Sequence, residues 1–568
     1  MILREDAILC PFAGKTVYLN IAIKDWSNRL GKKLSHLSHI PSRRLLAAGV
    51  FAFCAAWSYT VGRMLEYHGE LLPLSLPGMA GFLLRFIAAF ALTLILWRGA
   101  ESLQSKPVPS SGPQGKTRIL LCDALTFFFF LGSYLFTQLS LYPGMWTYDA
   151  WRVLARFQEH RMNSHIPIVY QLVMGSIVTY VAEWTGVNEK GVFAYIFLQV
   201  LLACFIFTFL LHEMRRFHIR RTFRVLTLLW LALAPNVSLF VVCSTKDSAF
   251  ALFMMLALIL LYQMVYEPDA FYHSVPRGLL LVLALLCMLL VRKNGLYALV
   301  ATLPFLLLVV KKRLRTACLI LLPAVLSVMI EHAVIERLSI RVSGRAEAIS
   351  VPLQQIARTR LQHPDDLSAE DNAFLLSLQP QENWDSYLPK IADPVKGGID
   401  ADVLYHNLSY AIPLYLKQGL RHPVTYLEAW MLTSYGLWYP DAVMRTDSVT
   451  PPVEKTEYLW YPVDMPVTRR PVFDRGDTLY RTICEEQWVH EIPVLHNLLS
   501  PGFHTLFFLF AFLYLLQAGK KRTAAVLLLP GMILATVLIG PCSMTRYAFH
   551  LFLVFPLLIT ALTAKEIP

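Results

Sequence analysis

The chain has 568 residues, 56% of them hydrophobic and 16% charged, with a formal net charge of +12. A soluble protein of this length carries more charge and lacks repeated apolar runs long enough to cross a bilayer. The composition therefore excludes a water-soluble globular class and predicts an all-α polytopic membrane protein. The basic residues fall in short clusters beside apolar runs, which is the pattern that orients membrane segments, and no basic stripe marks a soluble domain, so nucleic acid is not the expected partner. The nine cysteines form no C-x-x-C pair and no Cys/His ligand spacing, and most lie in apolar runs, where Cys acts as a small hydrophobe.

Residues 1–44 read as a cytoplasmic lead-in without a cleavable signal peptide, ending in Arg43-Arg44. Residues 45–118 hold two spans, Leu45 to Gly62 and Met79 to Trp97, and a Pro/Ser/Gly/Lys linker from Lys106 to Lys116. A core over 119–335 opens with the span Ile119 to Leu141. With the N-terminus inside, this span delivers Tyr142-Pro143-Gly144 and Asp149 to the outer face, within an outer loop over 142–190. If Ile166 to Trp184 crossed, the basic run Arg215-Arg216-Phe217-His218-Ile219-Arg220-Arg221 would face outward, against the positive-inside tendency. That segment also carries Gln171, Thr179 and Glu183, so it is expected to lie on or dip into the outer surface.

Spans then follow at Phe193–Leu211, Phe223–Val242, Ser248–Tyr266, Gly278–Val291, Leu296–Val310 and Thr316–Ile330. Gly278–Val291 and Leu296–Val310 meet at Arg292-Lys293-Asn294-Gly295. Together they run roughly 30 residues, too long for one ordinary span, which predicts a polar hairpin tip at the outer surface. Residues 336–500 are polar and of mixed charge, long enough for a mainly α external soluble domain. The region 501–568 closes the chain with Phe503–Ala518, Thr523–Gly540 and Tyr547–Leu562, for about twelve spans plus interfacial helices.

This topology collects the conspicuous polar residues on one face: Asp149, Lys246-Asp247, Arg292, Asn294 and Arg546-Tyr547. Basic residues there run against the orientation tendency, and a charge at the bilayer centre costs about 2.5–3.5 kcal/mol on insertion scales. Lys246, Arg292 and Arg546 are candidates for holding a phosphate through charge-assisted hydrogen bonds. The plain alternative is that each snorkels to the interface or pairs with a nearby acid. Asp149 reads either as a helix N-cap for the amphipathic run after it or as a general base. Arg152 is a ready partner for Asp149, a lone His165 is more often structural, and Arg85 and Asp123 read as snorkelling or internally paired.

The arrangement Tyr142-Pro143-Gly144…Asp149…His165-Ile166-Pro167 resembles the first outer loop of the GT-C superfamily of membrane glycosyltransferases, in which an acidic residue precedes helices lying at the membrane surface. The chain is similar to a bacterial branch of such proteins in Ser244-Thr245-Lys246-Asp247, Arg292-Lys293-Asn294-Gly295, Ile349-Ser350-Val351-Pro352-Leu353-Gln354-Gln355-Ile356-Ala357-Arg358, Asp393-Pro394-Val395-Lys396 and Thr545-Arg546-Tyr547. The resemblance covers roughly residue 119 to the end. It implies sugar transfer from a polyprenyl-phosphate-linked donor to an extracytoplasmic glycan, lipid or protein acceptor in the cell envelope. Asp149 would be the base, and Lys246, Arg292 and Arg546 would hold the donor phosphate. Tyr148, His165, Asp247, Asn294, Gln354, Gln355 and Tyr547 would contact substrate, with Trp384, Tyr387 and Trp438 serving either acceptor binding or core packing. No metal ligand set is assigned. A divalent metal stays open, with Asp149 and Glu159 the loop's acidic residues. The competing classes are a transporter or flippase for a lipid-linked or anionic substrate and a structural membrane protein presenting an external domain.

Overall fold

The computed structural model describes residues 41–104, 115–147, 149–442 and 467–564. The lead-in as far as residue 40, the linker over 105–114, Tyr148 and residues 443–466 of the polar region lie outside the described residues. Within them the architecture is helical, with four isolated β-bridges and no extended strand.

The apolar body comprises α1 (Ser42–His68), α2 (Leu76–Gln104), α3 (Lys116–Ser140), α4 (Ala150–Gln158), α5 (Ile168–Thr185), α6 (Asn188–Arg216), α7 (Arg221–Leu233), α8 (Pro235–Val241), α9 (Lys246–Tyr266), α10 (Val275–Val291), α11 (Asn294–Val309) and α12 (Arg313–Arg337). Eight described helices are long and apolar enough to cross a membrane, or ten if each of two bent pairs counts as one span. The first bent pair is α7 with α8, turned by 56° where Pro235 removes a backbone donor. Two further apolar helices, α10 and α11, have 17 and 16 residues.

Over the polar region run α13 (Ser350–Gln362), α14 (Ala369–Leu378), α15 (Leu408–Arg421), α16 (Pro423–Ser434) and α17 (Asp474–Glu485), with shorter turns between them. Leu353, Ile356, Leu375, Trp384, Val395 and Leu414 form a core of their own there, separate from the membrane body. The chain closes with α18 (Pro493–Leu499), α19 (Pro501–Gln517), α20 (Lys521–Leu538) and α21 (Phe549–Thr563), and α18 and α19 form the second bent pair, turned by 78°.

Helix connectivity fixes the two ends of the bundle. The α9 axis runs for roughly 30 Å at 1.5 Å per residue, from Lys246 to Tyr266, whose hydroxyl meets Thr523 at the start of α20. The chain leaves α3 and enters α6 at the Lys246 end: Tyr142 packs on Phe193 with ring centroids 5.6 Å apart, and Gln138 donates to the Phe193 carbonyl at 3.0 Å. A single crossing by α5 would put Phe193 at the other end, so α5 does not traverse the bundle. The cap of short helices seats on the same end, through Ala392 N–H to the Pro541 carbonyl at 2.8 Å and Ser543 Oγ to the Thr433 carbonyl at 2.8 Å.

Candidate functional site

Two stretches far apart in the chain are stitched together by backbone. Met145 pairs with Cys243 as a parallel bridge, with Met145 N–H donating to the Val242 carbonyl and Ser244 N–H to the Met145 carbonyl, both at 2.9 Å. Gln199 Nε2 donates to the Val241 and Cys243 carbonyls at 2.8 Å each, and Tyr170 Oη donates to the Ser244 carbonyl at 2.6 Å. Gly144 makes the approach feasible: it sits at φ 124°, and a Cβ there would fall 2.6 Å from Ile196 Cδ1.

This stitching sets Asp149 beside the first turn of α9. Thr245 caps that helix, its Oγ1 accepting from Asp247 N–H at 3.4 Å and donating to Asp247 Oδ2 at 3.2 Å. Asp247 suits the positive end of the helix dipole, whereas Lys246, at the first helical position, does not. Lys246 is held there by carboxylates, with Nζ 3.9 Å from Asp149 Oδ2. Arg546, from the one-turn 3₁₀ segment Thr545–Ala548, bridges both acids, with Nη1 3.6 Å from Asp149 Oδ2 and Nε 3.6 Å from Asp247 Oδ2. Arg292, at the end of α10, pairs with Asp247 and lies over the Tyr547 and Phe250 rings at 4.8 and 5.8 Å.

The cluster therefore has one more cation than anion, and the N-terminus of α9 points into it, both favourable to a bound anion. Its members are not equally accessible: side-chain exposure is 2% for Asp247, 7% for Arg546 and 39% for Asp149. Asp149 is the carboxylate a substrate can reach. Burial raises its pKa, but Arg546 and Lys246 pull it down further, so the group sits below the ordinary carboxylate value. Asp149 occupies the N-cap position of α4, yet its side chain makes no capping hydrogen bond. Arg152 lies over the Trp151 ring, 5.2 Å from its centroid.

A second chain of charges joins the cluster to the cap. His165 Nδ1 is 3.6 Å from Glu347 Oε1, and Lys396 Nζ reaches Glu347 Oε1 at 2.6 Å and Asp393 Oδ1 at 2.7 Å. Burial lowers the His165 pKa below its usual value, although Glu347 opposes it. Burial also opposes protonation of Lys396, but Glu347 and Asp393 outweigh it and raise that pKa. Neither Glu347 nor Lys396 was singled out as a site residue from the sequence, although Asp393-Pro394-Val395-Lys396 was among the strings carrying the resemblance.

The remaining sequence candidates fall elsewhere. Asn294 donates to Thr536 Oγ1 at 2.9 Å, beside the hairpin tip where Lys293 pairs with Glu331 at 2.8 Å. Gln354 and Gln355 are buried in the cap, donating to the Leu388 and Tyr426 carbonyls at 2.9 and 3.0 Å, and are not brought into the cluster. Trp384 and Tyr387 pack in the cap core, and Trp438 packs at a tilt against Trp57 with centroids 5.0 Å apart. Asp123 pairs internally with His212 and Arg215. Tyr148 lies outside the described residues.

Helices of this length and hydropathy, a buried ion cluster at one end and a helical cap above it define a multi-pass all-α membrane protein. The chain belongs to a family of unknown function (DUF6020), which matches residues 157–567. That match takes in Lys246, Asp247, Arg292 and Arg546 and begins after Asp149. Neither the curated proteins nor the solved structures include one that matches.

Proposed function

We propose that the protein is a glycosyltransferase of the GT-C type, moving a sugar from a polyprenyl-phosphate-linked donor to an acceptor on the extracytoplasmic side. In this reading the bundle crosses the membrane twelve times, counting each bent pair and each of α10 and α11 as a span, with the cap outside. The observation that carries it is the meeting of Asp149 with Lys246 and Arg546, both within 4 Å, at the rim of an apolar helix bundle.

The chemistry follows from that meeting. The acceptor hydroxyl attacks the anomeric carbon and a new C–O bond forms there. The bond from that carbon to the phosphate oxygen breaks, and the acceptor proton passes to Asp149. The negative charge gathering on the departing lipid phosphate is met by Lys246, Arg546 and Arg292 and by the N-terminus of α9. Without donor, Asp149 serves as a counterion and is a weak base. A donor phosphate competing for the same cations weakens their hold on Asp149 and raises its basicity. A donor with a lipid tail suits a site at span ends, because the tail needs apolar surface and the phosphate needs cations at headgroup depth. His165, Glu347 and Lys396 lie between the cluster and the cap, where sugar and acceptor would sit.

The test is transfer in proteoliposomes from labelled polyprenyl-phosphate sugars to envelope acceptors, with Asp149→Asn beside the wild type. The proposal expects labelled product from the wild type and near-complete loss in the variant. The broken helix pairs favour a second reading, a flippase for the same lipid phosphate. That reading expects movement of labelled lipid across the bilayer with no glycosyl product.

A further inference from the structure

The cap contains a second group of ligand-type side chains, at the opposite end of α13 from Glu347 and roughly 20 Å away along that helix at 1.5 Å per residue. His363 follows α13, Asp366 lies in the single 3₁₀ turn Pro364–Asp366, and His422 lies between α15 and α16. Each residue offers one ligand atom, and these atoms lie within 4.8 Å of one another. The sequence hid the group because His422 is remote from the other two. Both histidines end a helix and precede a proline, with matching backbone angles (φ −134°, ψ 56° and φ −126°, ψ 59°).

We propose that His363, Asp366 and His422 bind a divalent transition-metal cation of the zinc class, which clips the end of α13 to the α15–α16 junction. The two imidazoles are stacked face to face, with centroids 4.0 Å apart and planes 10° from parallel, so they are close neighbours and one ring turns out of the stack when both face an ion. The His422 side chain is 10% exposed, and its Nε2 lies 3.1 Å from Asp366 Oδ2 without the alignment of a hydrogen bond. Arg421 Nη2 holds the other carboxylate oxygen, Oδ1, at 2.5 Å, and Thr425 Oγ1 lies 3.2 Å from His363 Nε2. These are the outer partners that orient ligating carboxylates and imidazoles. Two imidazole nitrogens and one carboxylate oxygen are the donor set of zinc and its neighbours, not of magnesium or calcium. The His422 and Asp366 ligand atoms are already 3.1 Å apart and all three lie within 4.8 Å, so rotation of the His363 side chain gathers them to the about 2.0–2.2 Å bonds of such an ion. A clip closing the chain between Asp366 and His422 stabilises the cap by restricting its unfolded state.

The site rests on no part of the proposed reaction and is tested apart from it. Tag-free full-length protein in detergent, stripped with chelator, is titrated with Zn²⁺ by calorimetry, and its thermal unfolding is followed with and without the ion. Expected are one saturable equivalent per chain and a rise in unfolding temperature. Both are lost in His422→Ala and in His363→Gln, and both are kept in His332→Ala, a histidine 70% exposed on α12. Co²⁺ in place of Zn²⁺ should give the visible bands of nitrogen and oxygen ligation, which reports on the site without any variant. A wild-type chain that binds no zinc, or variants that bind and respond as the wild type does, overturns the proposal.

Discussion

Asp247 is a buried carboxylate shared by the buried guanidinium of Arg546 and the half-buried one of Arg292. Its replacement leaves Arg292 without its counterion and Arg546 with Asp149 alone, and removing one partner of a buried pair costs about 3–5 kcal/mol. Asp247→Asn is therefore expected to lower unfolding temperature and activity together. Asp149, more exposed, separates the two effects. Asp149→Asn, which leaves Arg546 paired with Asp247, should lower the unfolding temperature less than Asp247→Asn does, while transfer falls by about 10²–10⁴-fold, the usual contribution of a general base. The pH dependence carries a sign that follows from the pairing. With its pKa depressed in the free protein, Asp149 stays ionised above an ordinary carboxylate value of about 3.9, and what its pairing adds to stability is lost only as pH falls through that depressed value. The acidic limb of kcat/KM, which reports the free enzyme, is thus expected below pH about 4, whereas a limb near pH about 6.5 would transfer the role to a histidine.

At the scale of elements, α5 and α6 meet more closely than side chains allow. A Cβ on Gly191 would lie 2.2 Å from the Val178 carbonyl oxygen, so Gly191→Ala must push the helices apart. An overpacked contact of this kind costs about 1–3 kcal/mol, and thermal unfolding of the variant measures it. The same elements show how far a sequence can be read. Apolar runs and flanking basic clusters located the long helices, and the positive-inside argument kept α5 from crossing, because both signals depend on local composition. The bends were not visible. Phe223–Val242 reads as one straight span, yet it breaks at Pro235, whereas Pro304, Pro323, Pro530 and Pro556 sit inside helices that continue. A proline sets the chance of a break, but packing decides it, and here Asn236 beside the first bend bonds to the Leu498 carbonyl beside the second. Gln354 and Gln355 show the reverse limit. Amide side chains in a motif signal a substrate contact and a buried backbone contact equally well, and only the fold tells them apart.

For the whole molecule, the proposal depends on which way the bundle faces. Ser377 on the cap and Arg313 at the start of α12 are both exposed and lie toward opposite ends of the bundle. With native cysteines replaced, Ser377→Cys should react with an impermeant maleimide in intact cells, and Arg313→Cys only after permeabilisation. The reversed pattern would put the ion cluster on the cytoplasmic side, beyond the reach of an extracytoplasmic acceptor. Between that orientation and the residue chemistry stands the claim that the cations beside Asp149 recognise a lipid-borne phosphate. The most direct measurement is equilibrium binding of a polyprenyl phosphate to the protein in nanodiscs, for the wild type, Lys246→Ala and Arg546→Ala, with the uncharged polyprenol as control. The account predicts saturable binding by the wild type, at least tenfold weaker binding by each variant (about 1.4 kcal/mol) and no discrimination among the three for the polyprenol. Equal affinity of all three proteins for the phosphate would contradict it.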